Sequence, residues 1–252
     1  MTNPPLSVVA FGGGTGLPNL LKGLKSKEID LNVVVVVSDD GGSSGEMRTI
    51  FDMPAPGDIR NVIASLGDVD QDFLDLIQFR FDDNLLGGHS LGNFALAALT
   101  RIKGSFEEAI STLCRLTKVK AQVFPATYEK VAVVATHQDG SKSTGEVTVS
   151  NSHKPIQKIQ LQPPPPPARK ELLKKIEEAD LILLGPGSLF TSVLPHLMIP
   201  NIAEEINRAK GQVVYIANVM TQPGETTEFT LSDHVRALKE HGLNKCDAVL
   251  CH

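Results

Sequence analysis

The chain has 252 residues, 41% hydrophobic and 21% charged, with a formal net charge of −5, which is the composition of a globular chain able to form one large α/β domain or two small ones. The acidic balance lacks the clustered basic excess of a nucleic-acid surface, and no apolar run approaches the ~18 residues of a membrane helix. Cys114, Cys246 and Cys251 give neither a disulfide framework nor a C-x-x-C metal pair, and the first five residues lack the basic segment of a signal peptide, so a cytoplasmic location is expected.

The first element is an apolar strand over 7–11 that runs into Gly12-Gly13-Gly14-Thr15-Gly16, followed by a helical pattern over 17–24. Glycines let the backbone turn sharply and lie against a ligand, and the start of a helix presents free N–H groups at the same place. Such a corner suits an anion, phosphate above all. Two standard grammars fail. In G-x-G-x-x-G/A the third position is Leu17, and the Gly-Lys-Ser/Thr of a triphosphate loop is absent, since the first lysine is Lys22. The competing reading is a tight turn without ligand, but three consecutive glycines cost chain entropy. Gly13→Val is therefore expected to harm ligand binding far more than folding.

Five valines at 33–37 read as a strand buried on both faces of a parallel sheet. The polar stretch Ser38-Asp39-Asp40-Gly41-Gly42-Ser43-Ser44-Gly45 then lies at the carboxyl end of that strand, where ligands gather in open α/β sheets. Side-chain alternation sends Asp39 and Asp40 in different directions. Facing each other ~4 Å apart, they would repel by about 4 kcal/mol at an effective dielectric near 20 and would need a cation. One aspartate on a ribose hydroxyl or a Mg2+ water stands level with a plain Asx-type turn.

Pro56-Gly57-Asp58-Ile59-Arg60-Asn61 opens a helical pattern over 58–66, with Asp58 a natural N-cap. A cation in the first turn opposes the helix dipole, so Arg60 is expected to face an anionic ligand. Further helical patterns cover 73–81, 91–102, 106–117, 168–179 and 202–209. Gly87-Gly88-His89-Ser90-Leu91-Gly92-Asn93 places His89 in a mobile, polar setting where it could donate to a substrate oxygen, while Ser90 is an N-cap. No hydrolase triad is readable.

Residues 120–162 break the alternation, with period-two runs at 131–134, 147–149 and 156–161 around Asp139-Gly140. They predict an inserted antiparallel hairpin or meander. Prolines 163–167 read as a stiff connector into the helix at 168, with a partner-binding polyproline II segment as the alternative. Strands at 181–184 and 213–217 end in Gly185-Pro186-Gly187-Ser188-Leu189-Phe190-Thr191-Ser192 and in Asn218-Val219-Met220-Thr221-Gln222-Pro223-Gly224-Glu225-Thr226, and 247–252 reads as a strand barely begun. The fold class is thus α/β, a Rossmann-like, doubly wound, mostly parallel sheet with an antiparallel insertion, its polar loops converging on one crevice.

Taken together, the glycine corner at 12–16, the aspartate stretch at 38–45, the segments at 56–61 and 88–93, and the late loops at 185–192 and 220–226 resemble the YvcK-type gluconeogenesis factors of the CofD-like superfamily. The resemblance implies one CofD-like α/β domain over 1–252 with the β insertion at 120–162, and a C-terminal part of the family domain beyond this sequence. It implies a bacterial cytoplasmic protein that binds a nucleotide sugar of the UDP-N-acetylglucosamine type, or a nucleoside diphosphate, and supports cell shape and cell-wall synthesis during gluconeogenic growth. The enzyme branch, 2-phospho-L-lactate transferase, implies the alternative: Mg2+-dependent transfer of phospholactate from a guanosine-diphosphate-linked donor to a deazaflavin. A deazaflavin needs a large apolar or aromatic wall, which a chain with no Trp and only Tyr128 and Tyr215 supplies poorly. The resulting candidate nucleotide- and phosphate-binding residues are Gly12, Gly13, Gly14, Thr15, Gly16, Arg60, Asn61, His89, Asn93, Gly185, Gly187, Ser188, Thr191, Ser192, Asn218 and Thr221. Asp39, Asp40 and Asp58 are the metal candidates, for Mg2+. No catalytic residue and no organic cofactor is assigned, neither nucleic acid nor membrane insertion is expected, and a homo-oligomer is compatible with the sequence.

Overall fold

The computed structural model describes residues 4–82 and 86–251. Strand β1 (Leu6–Gly12) leads into helix α1 (Gly16–Leu24), which buries Leu17 and Leu21 one turn apart and returns the chain to β2 (Ile29–Val35), parallel to β1. Within the valine run, Val33, Val35 and Val37 pack into one core and Val34 into the other, so the strand is buried on both faces as a central parallel strand must be.

The polar stretch after β2 is shorter than the sequence suggests. Helix α2 (Gly42–Ile50) begins inside it and takes up Ser43, Ser44 and Gly45, with Met47 anchored in the core. Helices α3 (Gly57–Leu66), α4 (Gln71–Gln78), α5 (Leu91–Lys103) and α6 (Phe106–Leu116) follow on the same side of the sheet. Ser90 and Ser105 cap α5 and α6 by accepting the N–H groups of Asn93 and Glu108.

Strand β3 (Gln122–Pro125) rejoins the parallel sheet beside β2. A separate antiparallel sheet then forms from β4 (Ala132–His137), β5 (Lys142–Thr144) and β6 (Ile156–Gln162), in the order β5-β4-β6. The expected strand at 147–149 is instead part of helix α7 (Glu146–Asn151). Gly145 turns the chain out of β5 at φ +91, Asp40 accepts the Val147 N–H at 3.2 Å, and Val149 is buried. These tertiary contacts override the β-branched preference of the segment.

Prolines 163–167 run from β6 to α8 (Lys170–Glu177), the connector role expected of them. Next come β7 (Leu181–Leu184), a π-helical turn (Leu189–Val193), α9 (Leu194–Leu197), α10 (Ile202–Arg208) and β8 (Gln212–Ile216). Helix α11 (Leu231–Glu240), which the sequence reading passed over, starts at a capping box between Thr230 and Asp233. Edge strand β9 (Ala248–Leu250) falls in the stretch read as the final strand, whose His252 lies outside the described residues.

All six main strands are parallel, in the order β3-β2-β1-β7-β8-β9. The order reverses between β1 and β7, so the loops leaving those two strands flank the switch-point crevice at the carboxyl edge. One core lies between the sheet and α1, α3, α5 and α6. The other is closed by α8, α10, α11 and the apolar face of the antiparallel sheet. No described helix is long and apolar enough to cross a membrane.

Candidate functional site

The loops after β1, β2, β7 and β8 reach the carboxyl edge, and the two glycine corners meet there. A Cβ on Gly16 would lie 3.0 Å from the Pro186 carbonyl oxygen, and one on Gly187 would lie 3.0 Å from Ser192 Cβ and 3.5 Å from the Gly13 carbonyl oxygen. Gly14 has φ +60, and its nearest neighbour across the gap is Ser192 Oγ, 3.8 Å from where a Cβ would be. The loop after β8 joins them: Asn218 Oδ1 accepts the Gly187 N–H at 3.2 Å, and its amide donates to Gln222 Oε1 at 3.1 Å. Gly12, Gly13, Gly14, Gly16, Gly187, Ser192 and Asn218 therefore share one neighbourhood. Gly185, at φ +90, backs onto the Ile216 carbonyl and supports it from behind. Thr15 and Thr221 are exposed on the flanking loops.

Gly13 departs from expectation. A Cβ there would sit 2.2 Å from Val36 Cγ1 and 2.7 Å from Asp58 Oδ2. Its missing side chain makes room for the protein's own packing, so the expectation that Gly13→Val spares folding is reversed. The Gly12 carbonyl is fixed from below by the Nε2–H of His196 at 3.2 Å, a buried ring edge-on to Phe11. Burial lowers the His196 pKa to about 4, which keeps the ring neutral. His196 carried no sequence signal, because its partner is a backbone carbonyl far away in the chain.

In the second corner Ser188 Oγ accepts the Thr191 N–H at 3.1 Å and donates to Glu225. The N–H groups of Ser192 and Val193 both reach the Ser188 carbonyl, at 3.0 and 2.9 Å. This widened turn buries Thr191 and Ser192, and π-turns of this kind are frequent at functional sites. Thr191 Oγ1 is buried without a hydrogen-bond partner.

Carboxylates crowd the same edge. Asp58 Oδ2 accepts the Gly14 N–H at 2.7 Å, so a carboxylate already occupies a donor of the first glycine corner. Burial raises the Asp58 pKa to about 6; Asp39 adds to the rise, while the Gly14 amide and Arg60 oppose it. Asp39 Oδ1 turns back to the Gly41 N–H at 2.8 Å, whereas Asp40 reaches across to α7. The neighbouring aspartates diverge, as expected, although they lie beyond the end of β2 and are turned apart by their separate backbone partners. At the start of α7, Glu146 has its pKa raised to about 8 by burial and then by Asp39, Asp58, Glu225 and Asp40. Glu225 is buried and accepts from Ser150 Oγ at 2.7 Å and from Ser188. Glu146 and Glu225 escaped sequence reasoning because they arrive from two distant elements. Among the described residues no three His, Cys, Asp or Glu side chains form a preassembled metal cage.

The remaining candidates stand behind the aspartate loop. Arg60 is 2% exposed, and its guanidinium donates to Ser90 Oγ, to Asn93 Oδ1 at 3.4 Å and to Asn61 Oδ1 at 2.6 Å. It faces protein acceptors where the sequence suggested an anionic ligand, and burial, with Arg80 nearby, lowers its pKa to about 10. His89 is buried too, where a mobile setting was expected. It is held by Ser43 Oγ and Glu46 Oε2, both at 3.0 Å, and lies against Phe94. Asn93 donates to the same Ser43 Oγ at 3.0 Å. These groups bracket α2, α3 and α5 together and so fix the start of α2, directly after Asp39 and Asp40.

Strand order and crevice define a doubly wound α/β protein with its loop cluster at the switch point. The chain belongs to the CofD family: the family model described as 2-phospho-L-lactate transferase CofD matches residues 8–252. It is 47% identical over 245 residues to the gluconeogenesis factor of Bacillus subtilis (strain 168), covering 96% of this chain and 77% of that protein. With the gluconeogenesis factor of Halalkalibacterium halodurans the identity is 44% over 248 residues, covering 98% of this chain and 77% of the relative. A crystal structure of a protein from Bacillus halodurans superposes with a TM-score of 0.96 at 43% identity, covering 98% of this chain and 80% of that one. The likeness to gluconeogenesis factors drawn from the six motifs agrees with these matches.

Proposed function

We propose that this protein is a cytoplasmic regulator in gluconeogenic growth that binds a nucleotide sugar of the UDP-N-acetylglucosamine type and acts on cell shape and cell-wall synthesis. The gluconeogenesis factors it is similar to support the metabolic setting. The observation that carries the ligand reading is the meeting of Gly14 and Gly187 at Ser192 by the switch point: a Cβ on Gly14 would lie 3.8 Å from Ser192 Oγ, and one on Gly187 3.0 Å from Ser192 Cβ. The Gly14 amide and the Ser192 hydroxyl, brought together between two parallel strands, suit a phosphate of a diphosphate. Asp58 holds the Gly14 amide in the free protein and yields it to a phosphate oxygen.

Mg2+ belongs to the same reading. The donor set is all oxygen, which suits it; Glu146 is raised first by burial and then by the Asp39, Asp58, Glu225 and Asp40 carboxylates, and a cation would relieve that second part. Asp39, Asp40 and Asp58 are the candidates to supply a carboxylate oxygen, one at a time with water completing the shell, since they form no ready three-carboxylate cage. The ion would neutralise charge between carboxylate and diphosphate.

The family description supports a second reading, phospholactate transfer to a deazaflavin. The placement of the two tyrosines argues against it. Tyr215 is buried with its hydroxyl at His234 Nδ1, and Tyr128 is stacked under Arg169. Neither ring is free to form a wall for a flavin.

Isothermal titration with UDP-N-acetylglucosamine, with and without Mg2+, tests the proposal. Saturable heat is expected, about tenfold weaker in Ser192→Ala (about 1.4 kcal/mol) with an unchanged melting temperature. Absence of heat at millimolar ligand removes the nucleotide-sugar reading. Product formed from guanosine-diphosphate-linked donor, deazaflavin and Mg2+ replaces it with the transferase.

A further inference from the structure

At the amino edge of the sheet, opposite the crevice, a cavity of about 360 Å³ opens between the end of α1, the start of β2, the end of α3 and the α6–β3 connection. Five lysines line it: Lys22, Lys25, Lys27, Lys118 and Lys120. Its floor is apolar, with Ile29, Leu31, Leu66 and Ala121. In a chain of net charge −5 this is a local inversion of sign.

Helix ends offer an ordinary explanation. Helices α1, α3 and α6 all finish here, each with roughly half a negative charge at its carboxyl end, and lysines are favourable beside such ends. That accounts for Lys25, whose Nζ donates to the Gly67 carbonyl at the end of α3. It leaves a surplus. The ammonium groups of Lys22, Lys27, Lys118 and Lys120 have no hydrogen bond or ion pair among the described residues. Of the two acids lining the cavity, Asp30 is already paired with Lys175 at 3.2 Å.

Lys118 adds an independent observation. Helix α6 ends in a Schellman turn, in which Val119 N–H reaches the Cys114 carbonyl at 2.9 Å and Lys118 N–H the Arg115 carbonyl at 3.2 Å. The residue at Lys118's place in this turn is left-handed and is usually glycine, yet Lys118 holds φ +54. A strained lysine stands where glycine would be easier, and its side chain lines the cavity.

We propose that this cavity is a second ligand site, for a small organic anion carrying at least two phosphate or carboxylate groups. Separated cations on the rim grip the charges, and the apolar floor takes the body between them. A concave site of this volume fits a small molecule better than a lipid surface or a polymer. The inference is independent of the crevice reading, since none of the residues lining this cavity is among the crevice candidates.

Tripolyphosphate and citrate are the probes, titrated calorimetrically at matched ionic strength without Mg2+. Saturable binding is expected in the native chain and in Ser192→Ala. In the double variant Lys27→Gln with Lys120→Gln it should weaken at least tenfold at an unchanged melting temperature. Lys118→Gly should raise the melting temperature of the free protein while weakening anion binding, an opposition that a purely capping lysine would not give. Equal binding by the lysine variants overturns the proposal, as does binding lost in Ser192→Ala instead. Binding to phosphatidylglycerol vesicles without binding to either free anion also overturns it.

Discussion

The two glycine corners look alike in sequence and work differently. In the corner after β1, Gly13 is hemmed in by Val36 and Asp58, and its neighbour Gly14 is the open one. In the corner after β7, Gly185 and Gly187 hold positive φ, at +90 and +157, and the serine and threonine side chains supply the polar groups. The first corner is a packing solution that leaves one amide at the crevice, and that amide is taken by Asp58. The second is a conformational solution that turns the chain into a π-helical turn. A glycine therefore reports a constraint without saying whether a neighbour, a dihedral angle or a ligand imposes it.

Three substitutions would break this contrast if it is wrong. Gly13→Val should cost most, about 3 kcal/mol or more, because a new side chain would overlap Val36 and Asp58 in a packed interior. Urea unfolding reads it, and a variant that keeps its midpoint but loses ligand would return Gly13 to the binding role. Gly185→Ala should cost about 2 kcal/mol, from a left-handed φ and a Cβ 2.7 Å from the Ile216 carbonyl oxygen. Gly14→Ala has open space but φ +60, so about 1 kcal/mol is expected from the backbone alone. Here the larger effect should be on ligand affinity. If Gly14→Ala unfolds the chain as readily as Gly13→Val, the division within the first corner is mistaken.

Much of this was legible in the sequence, for identifiable reasons. The valine run, the apolar strand at 181–184 and the Ser90 cap are local signals, and the parallel sheet follows from the first two, whereas the strand order that sets the switch point rests on pairing at a distance. What failed was decided at a distance. The 147–149 segment has strand-like residues but is helical because Asp40 caps it and Val149 is drawn into the core. Arg60 in a first turn looks like an anion ligand only while Ser90 and Asn93 are unknown neighbours. Glu146 and Glu225 join the carboxylate group through the antiparallel sheet and the β8 loop, a convergence that no spacing along the chain reveals.

Glu146 gives the smallest and sharpest test, because it registers whether the distant carboxylates act as one group. Its pKa in the folded protein is about 8, against an ordinary value of 4.5, and that of Asp58 is about 6, against 3.8. Across those intervals the folded chain holds protons that the unfolded chain has released. The associated stability is complete below the unfolded values and is lost as pH rises through about 6 and then about 8. The metal-free protein should therefore melt at progressively lower temperature from pH 5.5 to pH 8.5, by a few degrees at most since Glu146 is only partly shielded from water. Glu146→Gln should flatten the upper part of that slope and leave the part due to Asp58. A cation among the carboxylates opposes the same repulsion, so Mg2+ should raise the melting temperature more at pH 8.5 than at pH 5.5, and less in Asp40→Asn. Equal Mg2+ stabilisation at both pH values, or an unaltered slope in Glu146→Gln, would mean that the carboxylates titrate as strangers and that the crevice holds no common charge for a metal to answer.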